Sequence, residues 1–124
     1  MDTLKISGTD ESPEIILDKI TSEMVFSGKS LPEDVKEFYK PVISWLEKYT
    51  ENPNDITKVE FKLEYFNSAS SKQILDILTR FERIHKKGKK VEISWCYQSD
   101  DEDMEDAGLA FAGILEVPIK LVHY

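Results

Sequence analysis

Three serines fall within four positions inside VEFKLEYFNSASSKQIL, residues 59–75, where an alternating pattern of side chains gives way to a helical one. Hydroxyls crowded at such a junction can do two kinds of chemistry. The first is helix capping: Ser70 followed by Gln73 has the spacing of a capping box, whose side chains satisfy the N–H groups left free where a helix begins, and Asn67 suits the turn before it. One helix start needs only one capping side chain, so Ser68 and Ser71 are left without a reason. The second is phosphate chemistry. A helix N-terminus combines unpaired N–H groups with the positive end of the peptide dipoles, and a phosphoserine placed there brings about −1.5 to −2 charge into a favourable field. Lys72 in the first turn opposes the dipole by itself and becomes a counter-charge once a phosphate is present.

Other residues with chemical potential explain themselves more simply. SDDEDMEDAG, residues 99–108, holds six carboxylates in the seven positions from Asp100 to Asp106. It reads as the acidic first turn of a helix, and it lacks the ligand spacing and central glycine of a calcium loop. SGKS, residues 27–30, lacks the first glycine and the spacer of a phosphate loop; Gly28 is expected to turn the chain out of a strand and Ser30 to cap a helix. His85 and His123 have no motif linking them to Cys96 or to a serine, so no catalytic triad is assigned, and neither is a cofactor or a metal. Cys96 is expected to be a half-buried structural thiol. HKKGKK, residues 85–90, is the one basic cluster, and it falls where lysines complement a helix C-terminus.

These residues need elements to hold them. Short apolar pieces around Leu4 and Ile6, Ile15 to Leu17 and Met24 to Phe26 predict short strands before residue 30. Val35, Phe38, Tyr39, Val42, Leu46 and Tyr49 then recur at three- and four-residue steps, which makes a helix. Ser30 with Glu33 three residues on, and the early Pro32, predict its start, Pro41 is expected to bend it, and Asn52 and Pro53 to end it. Val59, Phe61, Leu63 and Tyr65 alternate with Glu60, Lys62 and Glu64, and Val91, Ile93, Trp95 and Tyr97 alternate with Glu92, Ser94 and Cys96. A helix with Ile74, Ile77, Leu78, Phe81 and Ile84 on one face joins these two strands, which must therefore run parallel with a right-handed crossover. A further helix is expected from about Asp101 to Leu115, followed by a last strand in VPIKLVHY.

Parallel strands covered on both faces read as continuous apolar runs; these alternate, which predicts two layers with helices on one face and the other face comparatively bare. Trp45, Trp95 and Tyr97 fit core positions. The 124 residues make one domain, 1–124, without repeats or linkers. A net charge of −8 repels nucleic acid and anionic lipid, and no apolar run approaches the ~20 residues of a membrane helix, so neither nucleic-acid binding nor membrane insertion is expected. The polar, acidic start and the single cysteine suggest a cytoplasmic protein.

FSGKSLPED, FKLEYFNSASSK and ISWCYQSDDEDMEDAG, in this order and together extending over nearly the whole chain, resemble the signatures of the SiaC family of bacterial regulatory phosphoproteins. The resemblance implies an α/β, two-layer STAS-like domain: a mixed β-sheet with about three helices packed mainly on one face. It also implies a non-enzymatic switch whose unmodified form binds and activates a diguanylate cyclase. A serine/threonine kinase with a histidine-kinase-like ATPase fold would add the phosphate, and a metal-dependent protein phosphatase would remove it. The family's acceptor is a threonine after the asparagine of the motif, and Ser68 occupies that position here, with Ser70 and Ser71 as alternates. Asn67, Ser68 and Lys72 are then expected to dock on a partner, with Asp101 and Asp103 bordering the same surface. Two readings from other classes compete: a constitutive adaptor using Glu60, Lys62 and Glu64 on the bare sheet face, and a metal-assisted enzyme using the 100–106 carboxylates.

Overall fold

A computed structural model describes the chain from residue 1 to 124. The three short strands are present as β1 (Leu4–Ile6), β2 (Glu14–Asp18) and β3 (Glu23–Ser30), followed by α1 (Val35–Glu51), β4 (Ile56–Phe66), α2 (Ser68–Lys86), β5 (Lys90–Tyr97), α3 (Glu102–Ile114) and β6 (Ile119–His123). All six strands form one sheet in chain order, β1-β2-β3-β4-β5-β6. The first three pair antiparallel and the last four parallel, so the sheet is mixed.

Strand alternation carries the layering. Along β4, Thr57, Val59, Phe61 and Leu63 are buried, while Lys58, Glu60, Lys62 and Glu64 between them are exposed. The buried set faces a single core of 25 residues that also takes in one face of α1 and of α2. Register turns this pattern into an aromatic line: Phe26 lies opposite Phe61 and Phe61 opposite Trp95. Their ring centroids are 4.6 and 5.7 Å apart. Such pairs add about 0.5–1.5 kcal/mol each beyond area burial, which fixes the register of β3, β4 and β5.

Several expectations are corrected in detail. The first long helix does not begin at Ser30, which is the last residue of β3 and fully buried; Asp34 caps it, accepting from the Glu37 N–H at 3.2 Å. An aspartate side chain is as good a cap as serine, and here it sits directly before the first helical residue. Pro41 lies within α1 without ending it, and its ring is exposed. Gly28 does not turn the chain out of a strand but sits inside β3 at a register shift, with φ 99°, a conformation that suits glycine. Cys96 is buried rather than half-buried; burial pushes its thiol pKa up, and the Glu60 carboxylate 3.6 Å away adds to the effect.

Gly108 brings α3 against the sheet. A Cβ added there would stand 2.4 Å from Trp95 Cδ1, so the helix backbone rests on the indole, whose Nε1 donates to Met104 O at 3.0 Å. Gly108→Ala is expected to lower stability by about 1–3 kcal/mol through overpacking. Denaturant unfolding followed by tryptophan fluorescence checks this; unchanged stability would show that α3 shifts freely over Trp95.

Candidate functional site

α2 begins at Ser68, and its N-cap is Asn67, whose side chain accepts from the Ser70 N–H at 2.9 Å. Ser70 is therefore not the cap, and the Ser70–Gln73 capping box does not form. Ser71 N–H donates to Asn67 O at 3.0 Å, closing the first backbone turn. The N–H groups of Ser68 and Ala69, the first two of the helix, are left for solvent or for an anion.

The three serines do different work. Ser70 is fully buried, and Ser30 Oγ donates to its hydroxyl at 2.9 Å. Ser30 also hydrogen bonds the Tyr39 hydroxyl, so three buried hydroxyls tie the end of β3, the middle of α1 and the start of α2 into one knot. Asn67 N–H adds a backbone bond to Ser30 O at 3.2 Å. Each of these groups would lie orphaned without the others, at a cost of about 1–3 kcal/mol per lost partner. Ser71 is half-buried, whereas Ser68 and Lys72 are exposed. Ser70 is sealed at 0% exposure, and of the three serines Ser68 is the exposed one.

Asp101 and Asp103 stand at the start of α3, which follows β5 as α2 follows β4. Asp101 is the N-cap, accepting from the Met104 N–H at 3.0 Å, and Asp103 is exposed. Because β4 and β5 are adjacent and parallel, both helix starts lie on the same edge of the sheet. They also share a floor. Phe66, the residue before Asn67, packs edge-on against Trp95 at 6.1 Å, and Trp95 packs against Phe111 of α3 at 5.4 Å. No hydrogen bond or ion pair links Ser68 or Lys72 to Asp101 or Asp103, so the two groups are neighbours on one edge, not partners.

The first turns differ in charge. α1 has Glu37 there, and α3 has Glu102, Asp103 and Glu105, but α2 has no acid at all. The positive end of α2 is the one that its own side chains leave uncompensated, and it carries the exposed Ser68. In the acidic run, Asp101 is engaged as a cap and Glu105 accepts from the Tyr97 hydroxyl at 3.0 Å, so these two carboxylates are held apart from any common centre. No three His, Cys, Asp or Glu side chains are grouped as metal ligands. Glu60, Lys62 and Glu64 are exposed on the helix-free face, where Lys62 Nζ lies 4.6 Å from the centre of the Tyr124 ring.

The SiaC family regulatory phosphoprotein model matches residues 6–124. The chain belongs to the SiaC family. It is 30% identical, over 98% of its length and 96% of the relative's, to an uncharacterized protein of Pseudomonas aeruginosa (strain UCBPP-PA14). The crystal structure of apo-SiaC from Pseudomonas aeruginosa superposes with a TM-score of 0.89 at 28% identity, covering 98% of this chain and 99% of that one. SiaC in the crystal structure of the diguanylate cyclase SiaD in complex with its activator SiaC, from the same organism, superposes with a TM-score of 0.90 at 27% identity, again over 98% and 99% of the two chains. Family membership fits a regulatory role exercised by binding a protein partner.

The hydroxyl knot has a measurable signature. Burial pushes the Tyr39 phenol up to about 12 from an ordinary value of 10.0, and its hydrogen bond with Ser30 offsets only part of this. Below pH 10 the phenol is neutral whether the chain is folded or unfolded, and it adds no pH dependence. Between pH 10 and about 12 the unfolded chain loses this proton and the folded one keeps it. Stability therefore falls there by up to about 1.4 kcal/mol per pH unit on account of Tyr39. Tyr39→Phe is expected to remove that share of the slope in denaturant unfolding across this interval; an undiminished slope would show that the phenol titrates freely in the folded protein.

Proposed function

We propose that this protein is a non-enzymatic switch in which a phosphate on Ser68 controls docking to a diguanylate cyclase. The observation that carries the reading is the exposed Ser68 hydroxyl on the first residue of α2, the one helix start without an acid in its first turn. The SiaD–SiaC complex supports a cyclase as the partner. In the unmodified state Asn67, Ser68 and Lys72, with Asp101 and Asp103 at their side, form a polar edge against which the cyclase packs. A kinase with a histidine-kinase-like ATPase fold esterifies Ser68, and a metal-dependent phosphatase restores the alcohol. We take the cycle to run in the cytoplasm, in keeping with the single cysteine, Cys96.

The electrostatics work in opposite directions before and after docking. In the free protein the dianion meets the Ser68 and Ala69 N–H groups, the dipole of α2 and Lys72, so phosphorylation costs the fold little. In the complex the same dianion must give up water beside the carboxylates of Asp101 and Asp103. Burying an unpaired charge costs several kcal/mol, whereas about 1.4 kcal/mol already changes affinity tenfold. Ser68→Ala should bind the cyclase about as well as the unmodified protein, Ser68→Asp more weakly, and the phosphorylated protein weakest, by about tenfold or more. Calorimetric titration of the four forms measures this. Equal affinities would refute control through Ser68.

A further inference from the structure

β6 closes one lateral side of the sheet, and no strand covers its outer flank. It is the last strand in the order β1-β2-β3-β4-β5-β6 and pairs only with β5. Two hydrogen bonds give the orientation of its backbone: Tyr124 N–H donates to Tyr97 O at 3.0 Å, and Tyr124 O accepts from Ser99 N–H at 2.9 Å. Backbone groups alternate sides along a strand, so Lys120 and Val122 also turn theirs toward β5, while Ile119, Leu121 and His123 turn theirs outward. No residue of β6 is buried: Ile119, Leu121 and Val122 are half-buried, and Lys120 and His123 are exposed.

Beside this strand the core is open sideways. Ile119 and Leu121 lie next to Ile93 and Trp95 and pack against the core without being sealed by it. α3 runs above them. Its Glu105 accepts from the hydroxyl of Tyr97, whose ring centre is 6.3 Å from that of His123. Leu109 and Ala112 follow Glu105 at four and seven residues, on one stripe of the helix, whereas Phe111 leans the other way, toward Phe66 of β4 at 6.3 Å. The stripe therefore overlooks β6, and Leu109 on it is 54% exposed. Leu109, Ala112, Ile119 and Leu121 form an apolar seam along the open strand. Lateral strands are usually blunted by brevity, charge, proline or a bulge. β1 on the far side is only three residues long with Lys5 exposed at its centre, but β6 runs for five residues with Lys120 as its one charged residue.

We propose that β6 pairs antiparallel with β6 of a second copy of this chain, about a two-fold axis through Leu121, so that the two sheets become one. In that register Leu121 meets its own counterpart, Ile119 meets the partner's His123, and Lys120 meets the partner's Val122. The residues with outward backbone groups then face one another, the two seams join across the axis, and no like charges stand directly opposite. Charge favours a second copy at this place. The segment VPIKLVHY, residues 117–124, has no acid on a chain of net charge −8, so two copies repel each other least along it, and Glu105, the acid of the α3 stripe, is already held by Tyr97. Such a contact uses the same strand on both sides and closes at two copies. Ser68 stands at the end of the strands rather than beside β6, and the proposal does not depend on phosphorylation.

Sedimentation velocity of the full chain from about 1 μM to 1 mM tests this. The mass is expected to rise with concentration from 14.3 kDa toward twice that value, with slower hydrogen exchange at the Leu121 and His123 amides in the concentrated protein. His123→Pro removes an outward N–H while leaving the bonds to β5 in place, which a lateral strand tolerates. Leu109→Lys, at an exposed position, puts a charge into the seam four residues after Glu105, where the helix accepts it. Each should weaken association about tenfold or more, with circular dichroism unchanged. A protein that stays at 14.3 kDa throughout would leave the strand to some other occupant and overturn the proposal. So would association that His123→Pro does not weaken; if Leu109→Lys alone weakened it, the contact would belong to α3 and not to paired strands.

Discussion

Because β3, β4, β5 and β6 lie side by side in chain order and all run parallel, each right-handed crossover must return over the same face of the sheet. That constraint sends α1, α2 and α3 to one side and leaves Lys58, Glu60, Lys62 and Glu64 on the other without a covering layer. It also places all three helix starts on one edge, at the C-terminal ends of the parallel strands, where open α/β sheets bind their ligands. The edge proposed for docking thus follows from topology before any single side chain is considered. At the opposite end, where strands begin and helices end, α1 and α2 carry basic residues in their last turns, Lys48 in one and Arg83, His85 and Lys86 in the other, which suit helix C-termini.

On this edge, charge distribution distinguishes one helix start from its neighbours. All three are capped by an aspartate or asparagine that accepts from the N–H three residues on: Asp34 to Glu37, Asn67 to Ser70, Asp101 to Met104. Only α2 lacks acids in its first turn, and only there does an alcohol stand free on the first residue. Underneath, Ser30, Tyr39 and Ser70 hold that start rigidly against β3 and α1, and Phe66 holds it against Trp95. A modification on such a platform changes the charge of an interface without needing to move the backbone.

Strand and helix periodicities were legible in the sequence, as were the bare sheet face and the parallel β4–β5 pair, because alternation and three- to four-residue spacing follow directly from which side of an element is buried. Serines at 68, 70 and 71 drew attention to the junction where α2 begins, and the family resemblance pointed to Ser68. What the sequence hid was the division of labour among hydroxyls. Ser30 and Ser70 look like caps because each is followed three residues later by Glu or Gln, yet their hydroxyls meet in the core across 40 residues of chain, a contact that no local pattern encodes. A usable signal was present: Asp34, Asn67 and Asp101 each stand immediately before the first residue of a helix, where a short acceptor side chain caps best. Gly28 was misread for a similar reason, since a positive φ serves a bulge as well as a turn.

The central claim is that phosphate on Ser68 acts through local charge on a rigid helix start. Backbone amide NMR spectra of the unmodified and Ser68-phosphorylated protein test it most directly. The account predicts shifted resonances at Asn67 to Lys72 and at the neighbouring start of α3, with Ser30, Tyr39 and the strands unchanged. Shifts spreading through α1 and the sheet, or lost exchange protection at the Ser70 amide, would contradict it and show that the switch works by rearranging the fold.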